Sequence, residues 1–319
     1  MRPATFNELN AEVERRRDAG DQSGALDLLT RSEPLFSPQA ALTRMLRVEL
    51  LARMDRATEA VDLLRDGLDR GYRYRGRWLR HERFAALTSQ SDFSSLVERS
   101  DAQYERAQAD ASPDLGIYAP DEEARSGEQP VLVALHGNNR TMQDTVPSWQ
   151  SIVADGWVLA VPQSSEIATT PGFFLWNDRE RAMKDLETHL ATLRSRLSLD
   201  PNRLVLGGFS MGARLALELG LSGRFPTKRV LAIATWLPDF ESLAALFEPS
   251  AMQNARVHVV VGRHDTSGYD GSVRLVEHLR TLGASAVVEI HDGGHEEPRD
   301  MPGTLRRALT FLDSTSPAR

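Results

Sequence analysis

Apolar positions follow two regimes along the chain. Through the first hundred or so residues they recur at helical spacing, with almost no strand-like alternation and only sparse Gly and Pro, which predicts a helical region. Within it Ala25-Leu26-Asp27-Leu28-Leu29 is echoed 35 residues later by Ala60-Val61-Asp62-Leu63-Leu64, and each copy follows a charged turn, Asp21-Gln22 or Asp55-Arg56. Phe93, Leu96 and Val97 begin a third, degenerate helix.

Further on the pattern changes. Gln108 to Pro113 is polar and Pro120 to Pro130 is rich in Glu, Gly and Asp, so a boundary is expected near residues 106–114, separating a helical domain (1–110) from a second domain (111–319). In the second part short apolar runs alternate with amphipathic stretches. Val131–Leu135, Trp157–Val161, Leu204–Gly207, Arg229–Ala234, Val257–Val261 and Ala286–Ile290 read as strands, and most are near-continuously apolar, as in strands covered on both faces. Arg179–Leu197, Met211–Leu221, Gly271–Leu282 and Pro302–Leu312 have the length and spacing of helices. This β, α, β, α order predicts a three-layer α/β domain with a mostly parallel, doubly wound sheet.

Length supports two domains of unequal size, since 319 residues exceed what one compact core usually holds. With 41% hydrophobic and 26% charged residues the chain reads as an ordinary globular protein. A net charge of -7, without long single-sign blocks, gives no reason to expect nucleic acid or an anionic membrane as partner. The chain has no cysteine, which excludes disulfide scaffolds, iron–sulfur clusters and thiol nucleophiles. Met1 to Glu14 lacks the apolar core of a secretory signal, and no apolar run approaches the ~20 residues of a membrane span, so a cytoplasmic location is expected.

The chemistry is concentrated in Leu204-Val205-Leu206-Gly207-Gly208-Phe209-Ser210-Met211-Gly212-Ala213-Arg214-Leu215, a strand, a tight turn and a helix. Gly208, Ser210 and Gly212 form G-x-S-x-G, in which Ser210 occupies a strained turn and a side chain at either glycine would collide with the neighbouring strand or helix. The Met211 N–H then lies at a helix N-terminus, where it can stabilise an oxyanion. A serine hydroxyl needs a base, and the base needs an orienting acid. After an elbow of this kind both follow in the chain, acid first. Asp265, at the exit of the strand Val257–Val261, is the candidate acid, with Asp270 as the fallback. His295, after Gly293-Gly294, is the candidate base, ahead of His291 at the strand end, while His264 is expected to be exposed. Upstream, Val131–Leu135 runs into His136-Gly137-Asn138-Asn139, and the Asn138 backbone N–H is the candidate second oxyanion donor, with His136 structural. Phe173, Phe174, Leu175 and Trp176, with Trp236, Leu237 and Phe240, follow strands where ligands bind in open α/β sheets, and are candidate walls of an acyl pocket; core packing is the competing reading.

These residues together resemble the phospholipase/carboxylesterase and dienelactone hydrolase-like branch of the α/β-hydrolases over about residues 115–315. Trp176-Asn177-Asp178, Asp200-Pro201-Asn202-Arg203 and Trp236-Leu237-Pro238 are further pieces of that resemblance. It implies hydrolysis of a small ester or thioester without cofactor or metal, with Ser210, Asp265 and His295 as the triad. Two positions depart from the branch: Met211 stands where esterase members usually have Gln, and the strand before Asp265 ends without a His-Gly pair. The N-terminal region is similar to tetratricopeptide repeats in its period and in the small Ala of the packing helix, although the aromatic signature positions are not filled. Such a region implies a protein partner, self-association or a cap. A serine peptidase of the same fold and a non-catalytic binding protein are the alternative functions.

Overall fold

A computed structural model describes residues 3, 5–121, 127–237 and 239–314. Met1, Arg2 and Ala4 of the polar N-terminal stretch, residues 122–126 within the Pro120–Pro130 run, and Pro238 of the Trp236-Leu237-Pro238 run lie outside the described residues. The chain divides into two units, one made of Met1–Ala111 with Ile167–Phe173, the other of Ser112–Glu166 with Phe174–Arg319.

The first unit is helical: α1 (Phe6–Asp18), α2 (Gln22–Ser32), α3 (Ala40–Arg53), α4 (Ala57–Asp69), the one-turn α5 (Gly76–Leu79) and α6 (Phe93–Asp110). Local chemistry sets the starts, since Thr5 Oγ1 accepts the Glu8 N–H at 3.2 Å and an Asp21 carboxylate oxygen accepts that of Gly24 at 2.8 Å, each satisfying an orphan donor. The two similar pentapeptides lie on α2 and α4 and bury two matching positions, Ala25 and Leu29 in one apolar cluster and Ala60 and Leu64 in another, joined by Leu28 in the first and Val61 in the second. Helix α6 is longer than its apolar start suggests and runs to Asp110, through the beginning of the polar stretch read as a boundary. Residues 167–173 join this unit by hydrogen bonds the sequence does not announce. The Ala41 N–H donates to Thr170 Oγ1 (3.2 Å), the Arg73 N–H to the Thr169 carbonyl (2.9 Å), and the Ile167 N–H to Gln108 Oε1 (3.3 Å).

In the second unit the elements are β1 (Asp114–Tyr118), β2 (Gln129–Leu135), α7 (Met142–Trp149), β3 (Val158–Gln163), α8 (Arg179–Arg196), β4 (Leu199–Phe209), α9 (Met211–Leu221) and β5 (Arg229–Ile233). The short α10 (Phe240–Ala244) and α11 (Pro249–Met252) follow, then β6 (Arg256–Gly262), α12 (Tyr269–Thr281), β7 (Ser285–His291) and α13 (Met301–Asp313). The seven strands form one sheet in the order β1-β3-β2-β4-β5-β6-β7, parallel throughout except for β1 against β3. Strand β1 is an addition to the sequence reading: only Leu115 and Ile117 are apolar in it, and an exposed-ended edge strand needs no more.

Alternation along the strands builds three layers. Val131, Val133, Leu204, Leu206, Val257 and Val259 point to one face and pack with α8, α9 and α12, whereas Leu132, Ala134, Val205, Leu231 and Val260 point to the other and pack with α7 and α13. This explains why most of these strands read as unbroken apolar runs. Among the described residues no helix is long and apolar enough to cross a membrane. Leu305 of α13 is fully buried in the second of these layers. Leu305→Ala is therefore expected to cost about 2–5 kcal/mol, read as a lower urea midpoint at unchanged slope.

Candidate active site

Strand β4 ends at Phe209 and α9 begins at Met211, so the turn between them is a single residue, Ser210, with φ 55° and ψ -114°. A side chain rarely tolerates this positive φ, and here tertiary contacts impose it. The Ser210 N–H donates to the Ile233 carbonyl of β5 (2.9 Å), and its own carbonyl accepts from Arg214 (3.1 Å) and Trp236 (3.3 Å). The flanking glycines are required by close approach: a Cβ on Gly208 would stand 2.5 Å from the Gly212 carbonyl carbon, and one on Gly212 would collide with the carbonyls of Leu135 and His136. Met211, as the first residue of α9, has an N–H with no intrahelical partner, at the positive end of the helix dipole. Its buried side chain is held from behind, with Arg179 Nη2 3.7 Å from its sulfur and that arginine bound to Glu218 and to the Trp176 carbonyl.

The loops after β6 and β7 meet the elbow. His295 Nε2 lies 2.8 Å from Ser210 Oγ, and its Nδ1 lies 2.8 Å from Asp265 Oδ2. Asp265 is almost fully buried. Burial pushes its carboxyl up, but hydrogen bonds and charge from His295, together with the Ser267 N–H and hydroxyl, outweigh this and hold it below the ordinary carboxylate range. An ionised carboxylate only accepts, so Nδ1 carries the imidazole proton and Nε2 is left to accept from the Ser210 hydroxyl. The other candidates stand apart. His291 ends β7 with Nδ1 accepting the Gly293 N–H (3.1 Å), while Asp270 and His264 are exposed.

Three residues around this group had no signal in the sequence. Ser267 braces Asp265. Glu297, two residues past His295, accepts from Trp149 Nε1 (3.2 Å) and Ser148 Oγ (2.9 Å), tying the histidine loop to the end of α7. Arg140 lies 3.7 Å from the same carboxylate and 4.8 Å above the Phe209 ring, whose other neighbour is the His295 ring at 5.5 Å.

Strand β2 supplies the facing side. Its neighbour β3 lies to one side and β4 to the other, and β4 in turn connects to β5, so the β2/β4 crevice is a topological switch point where ligands bind in open α/β sheets. After β2 the fully buried His136 donates from Nδ1 to the Gly137 carbonyl (2.8 Å) and accepts at Nε2 from Gln163 (3.0 Å) and the Ser164 N–H (3.3 Å). Asn138 is fixed by its side chain, accepting the Trp176 N–H (2.9 Å) and donating to Asn177 Oδ1 (2.9 Å). Of the seven pocket candidates, Trp176 is fully buried with its ring 4.8 Å from that of His136, Leu175 is buried, and Leu237 is buried in the core with Phe240 packed against it. Phe174 is half-buried and Trp236 is 39% exposed; Phe173 belongs to the helical unit.

Comparison with known proteins agrees with this architecture. Residues 177–314, which hold Ser210, Asp265 and His295, match the Phospholipase/Carboxylesterase family model. The second unit has the α/β-hydrolase fold, and its residues 177–314 are similar to the phospholipase/carboxylesterase family. The chain is 27% identical over 180 residues to acyl-protein thioesterase 1 of Mycosarcoma maydis, covering 54% of this chain and 71% of that protein. Among solved structures, an uncharacterized protein from Bacillus cereus ATCC 10987 superposes over 98% of this chain and 100% of its own at 21% identity and TM-score 0.54. Its match extends the shared fold to the helical region. The esterase PE8 covers 63% of this chain and 99% of its own at 22% identity and TM-score 0.53.

Within this fold His136 is a neutral strut. Burial, aided by the charge of Arg140, pushes its imidazole from 6.5 down to about 4 against the opposing hydrogen bond to Gly137. Between those values the unfolded chain binds a proton that the folded chain refuses. The stability is therefore whole above about pH 6.5 and falls, by up to about 3 kcal/mol, as pH drops toward 4. Urea titrations from pH 7 to 4.5 should show this slope in the wild type and lose that share of it in His136→Asn.

Proposed function

We propose that this chain hydrolyses carboxylic esters or thioesters of small acyl groups by way of an acyl-enzyme on Ser210. The observation that carries the reading is the unbroken chain from Ser210 Oγ through His295 to a buried, ionised Asp265, with both links at 2.8 Å. His295 Nε2 takes the hydroxyl proton as Oγ attacks the acyl carbonyl, and Asp265 holds the imidazolium that forms. The carbonyl oxygen becomes an oxyanion, received by the N–H groups of Met211 and Asn138. Collapse expels the alcohol or thiol, which takes its proton from Nε2. Water, activated by the same imidazole, then releases the acid and regenerates Ser210.

Trp236, whose N–H bonds the Ser210 carbonyl and whose ring is exposed, is the wall offered to the substrate, with Phe174 on the opposite loop. The thioesterase name of the Mycosarcoma maydis relative supports including thioesters in the substrate range. For the first unit, the paired helices α1–α2 and α3–α4, repeating after 35 residues, support a tetratricopeptide-like reading.

Two measurements test the function. Wild-type protein should react with a fluorophosphonate at Ser210 alone, and Ser210→Ala should lose on the order of 10⁴-fold or more in kcat/KM toward p-nitrophenyl acetate and butyrate while keeping its circular dichroism spectrum. Undiminished turnover in Ser210→Ala, or an adduct at another residue, would remove the assignment, and peptide cleavage without ester cleavage would redirect it to a peptidase.

A further inference from the structure

The geometry points to Ser267 as a positioning residue that fixes the Asp265 carboxylate and shares the Nδ1 proton of His295, an inference that rests on the reading of Ser210 as nucleophile. Ser267 stands two residues after Asp265, in the turn that leads into α12, and is half-buried. Its N–H (2.9 Å) and its hydroxyl (2.6 Å) both reach Asp265 Oδ1. That leaves Oδ2 for His295 Nδ1 and removes the carboxylate's freedom to rotate. The same hydroxyl oxygen lies 3.1 Å from His295 Nδ1.

Proton counting decides what passes between them. A hydroxyl has one hydrogen, and the short contact to an acceptor-only carboxylate claims it, so the Ser267 oxygen can offer Nδ1 only a lone pair. The opposite assignment would leave Nδ1 without a proton, its lone pair facing Asp265 Oδ2 at 2.8 Å with nothing between them. The Nδ1–H is therefore shared by two acceptors, Asp265 Oδ2 and Ser267 Oγ. Asp265, Ser267 and His295 close a ring of hydrogen bonds that keeps the imidazole in the tautomer and plane the Ser210 proton transfer needs, and the second acceptor remains in place as the ring becomes a cation.

Such a residue acts on the chemical step more than on substrate binding. In the full-length protein Ser267→Ala, which keeps the backbone donor, should lower kcat by about 10- to 100-fold, the scale of a lost hydrogen bond to a charged group, with KM within about threefold of wild type. Fluorophosphonate labelling of Ser210 should slow in parallel. Ser267→Thr, which restores the hydroxyl, should return kcat to within about threefold of wild type. The far-downfield Nδ1–H proton resonance, identified by its loss in His295→Gln, should move in Ser267→Ala and return in Ser267→Thr.

A Ser267→Ala enzyme with wild-type kcat overturns the inference. So does a loss of kcat matched by a lowered melting temperature that Ser267→Thr does not repair, since that marks a purely structural role. Ser210→Ala assayed beside these variants separates the two levels. If it retains turnover, the nucleophile reading falls and this inference with it; if it is inactive while Ser267→Ala is unimpaired, this inference falls alone.

Discussion

At the end of β2 the carbonyl oxygens of Leu135 and His136 press so closely on Gly212 that no side chain fits there, and Gly212 in turn leaves no room for one at Gly208. This approach of the first turn of α9 to the neighbouring strand fixes most of what surrounds it. The helix cannot slide, so its first free N–H, from Met211, stays beside the loop that leaves β2. The chain must also reverse within one residue, which drives Ser210 to a positive φ. Strain of this kind costs on the order of 1–3 kcal/mol and persists only when its surroundings over-determine it. The hydrogen bonds of Ser210 with Ile233, Arg214 and Trp236 do so here, and they draw β5 and its exit loop into the same constraint.

Asp265 and His295, the proposed acid and base, are held by different means. Asp265 is buried, yet it stays ionised because every oxygen faces a donor: Oδ1 the Ser267 N–H and hydroxyl, Oδ2 the imidazole. His295 rides on a loop, and a loop residue is placed accurately only if the loop is pinned elsewhere. Glu297 provides that pin through Ser148 and Trp149 on a separate element, and Phe209, adjacent to Ser210, contributes a ring against the imidazole. His136 does the reverse. Buried without a charge partner, it is kept neutral, and a neutral ring can donate at one nitrogen and accept at the other. It uses both to link the β2 loop with the end of β3.

Periodicity revealed the α/β architecture because most of its strands are buried on both faces; the helix Met211–Leu221 coincides residue for residue with its sequence pattern. What escaped has physical reasons. Strand β1 has one edge unpaired and only two apolar residues, and the 3₁₀ turns over Glu82–Ser89 lack a 3.6-residue period. The incorporation of 167–173 into the helical unit rests on backbone and small polar groups, which carry no hydrophobic signal. In the site, Ser210, Asp265 and His295 were legible as candidates because strand ends and chain order narrow the choice, and the structure brings those three together. Ser267, Glu297 and Arg140 were not, since a serine in a turn or an acid in a loop becomes informative only once tertiary structure supplies its partner. An aromatic after a strand reads the same whether it faces core or cleft; the His136 ring decides the matter for Trp176.

That burial changes what the 174–178 loop does. Phe174 exchanges hydrogen bonds with Asn139 and Arg140, Trp176 and Asn177 hold the Asn138 side chain, and the buried Glu166 carboxylate takes the N–H groups of Asn177 (2.6 Å) and Asp178 (2.8 Å). Glu166 also accepts the Leu175 N–H through its carbonyl (2.8 Å), so the chain leaves the second unit and returns to it across a closed hydrogen bond. The loop is committed to supporting the Asn138 backbone, and on the proposed function reshaping it for a larger substrate would disturb the proposed oxyanion donor as well. No such coupling binds Trp236. Its backbone is tied to Ser210, but its ring is exposed, with the Arg214 guanidinium 5.7 Å from its centroid. On the proposed function, selection among acyl groups therefore belongs to the exit of β5, where side chains can change without moving the atoms that react.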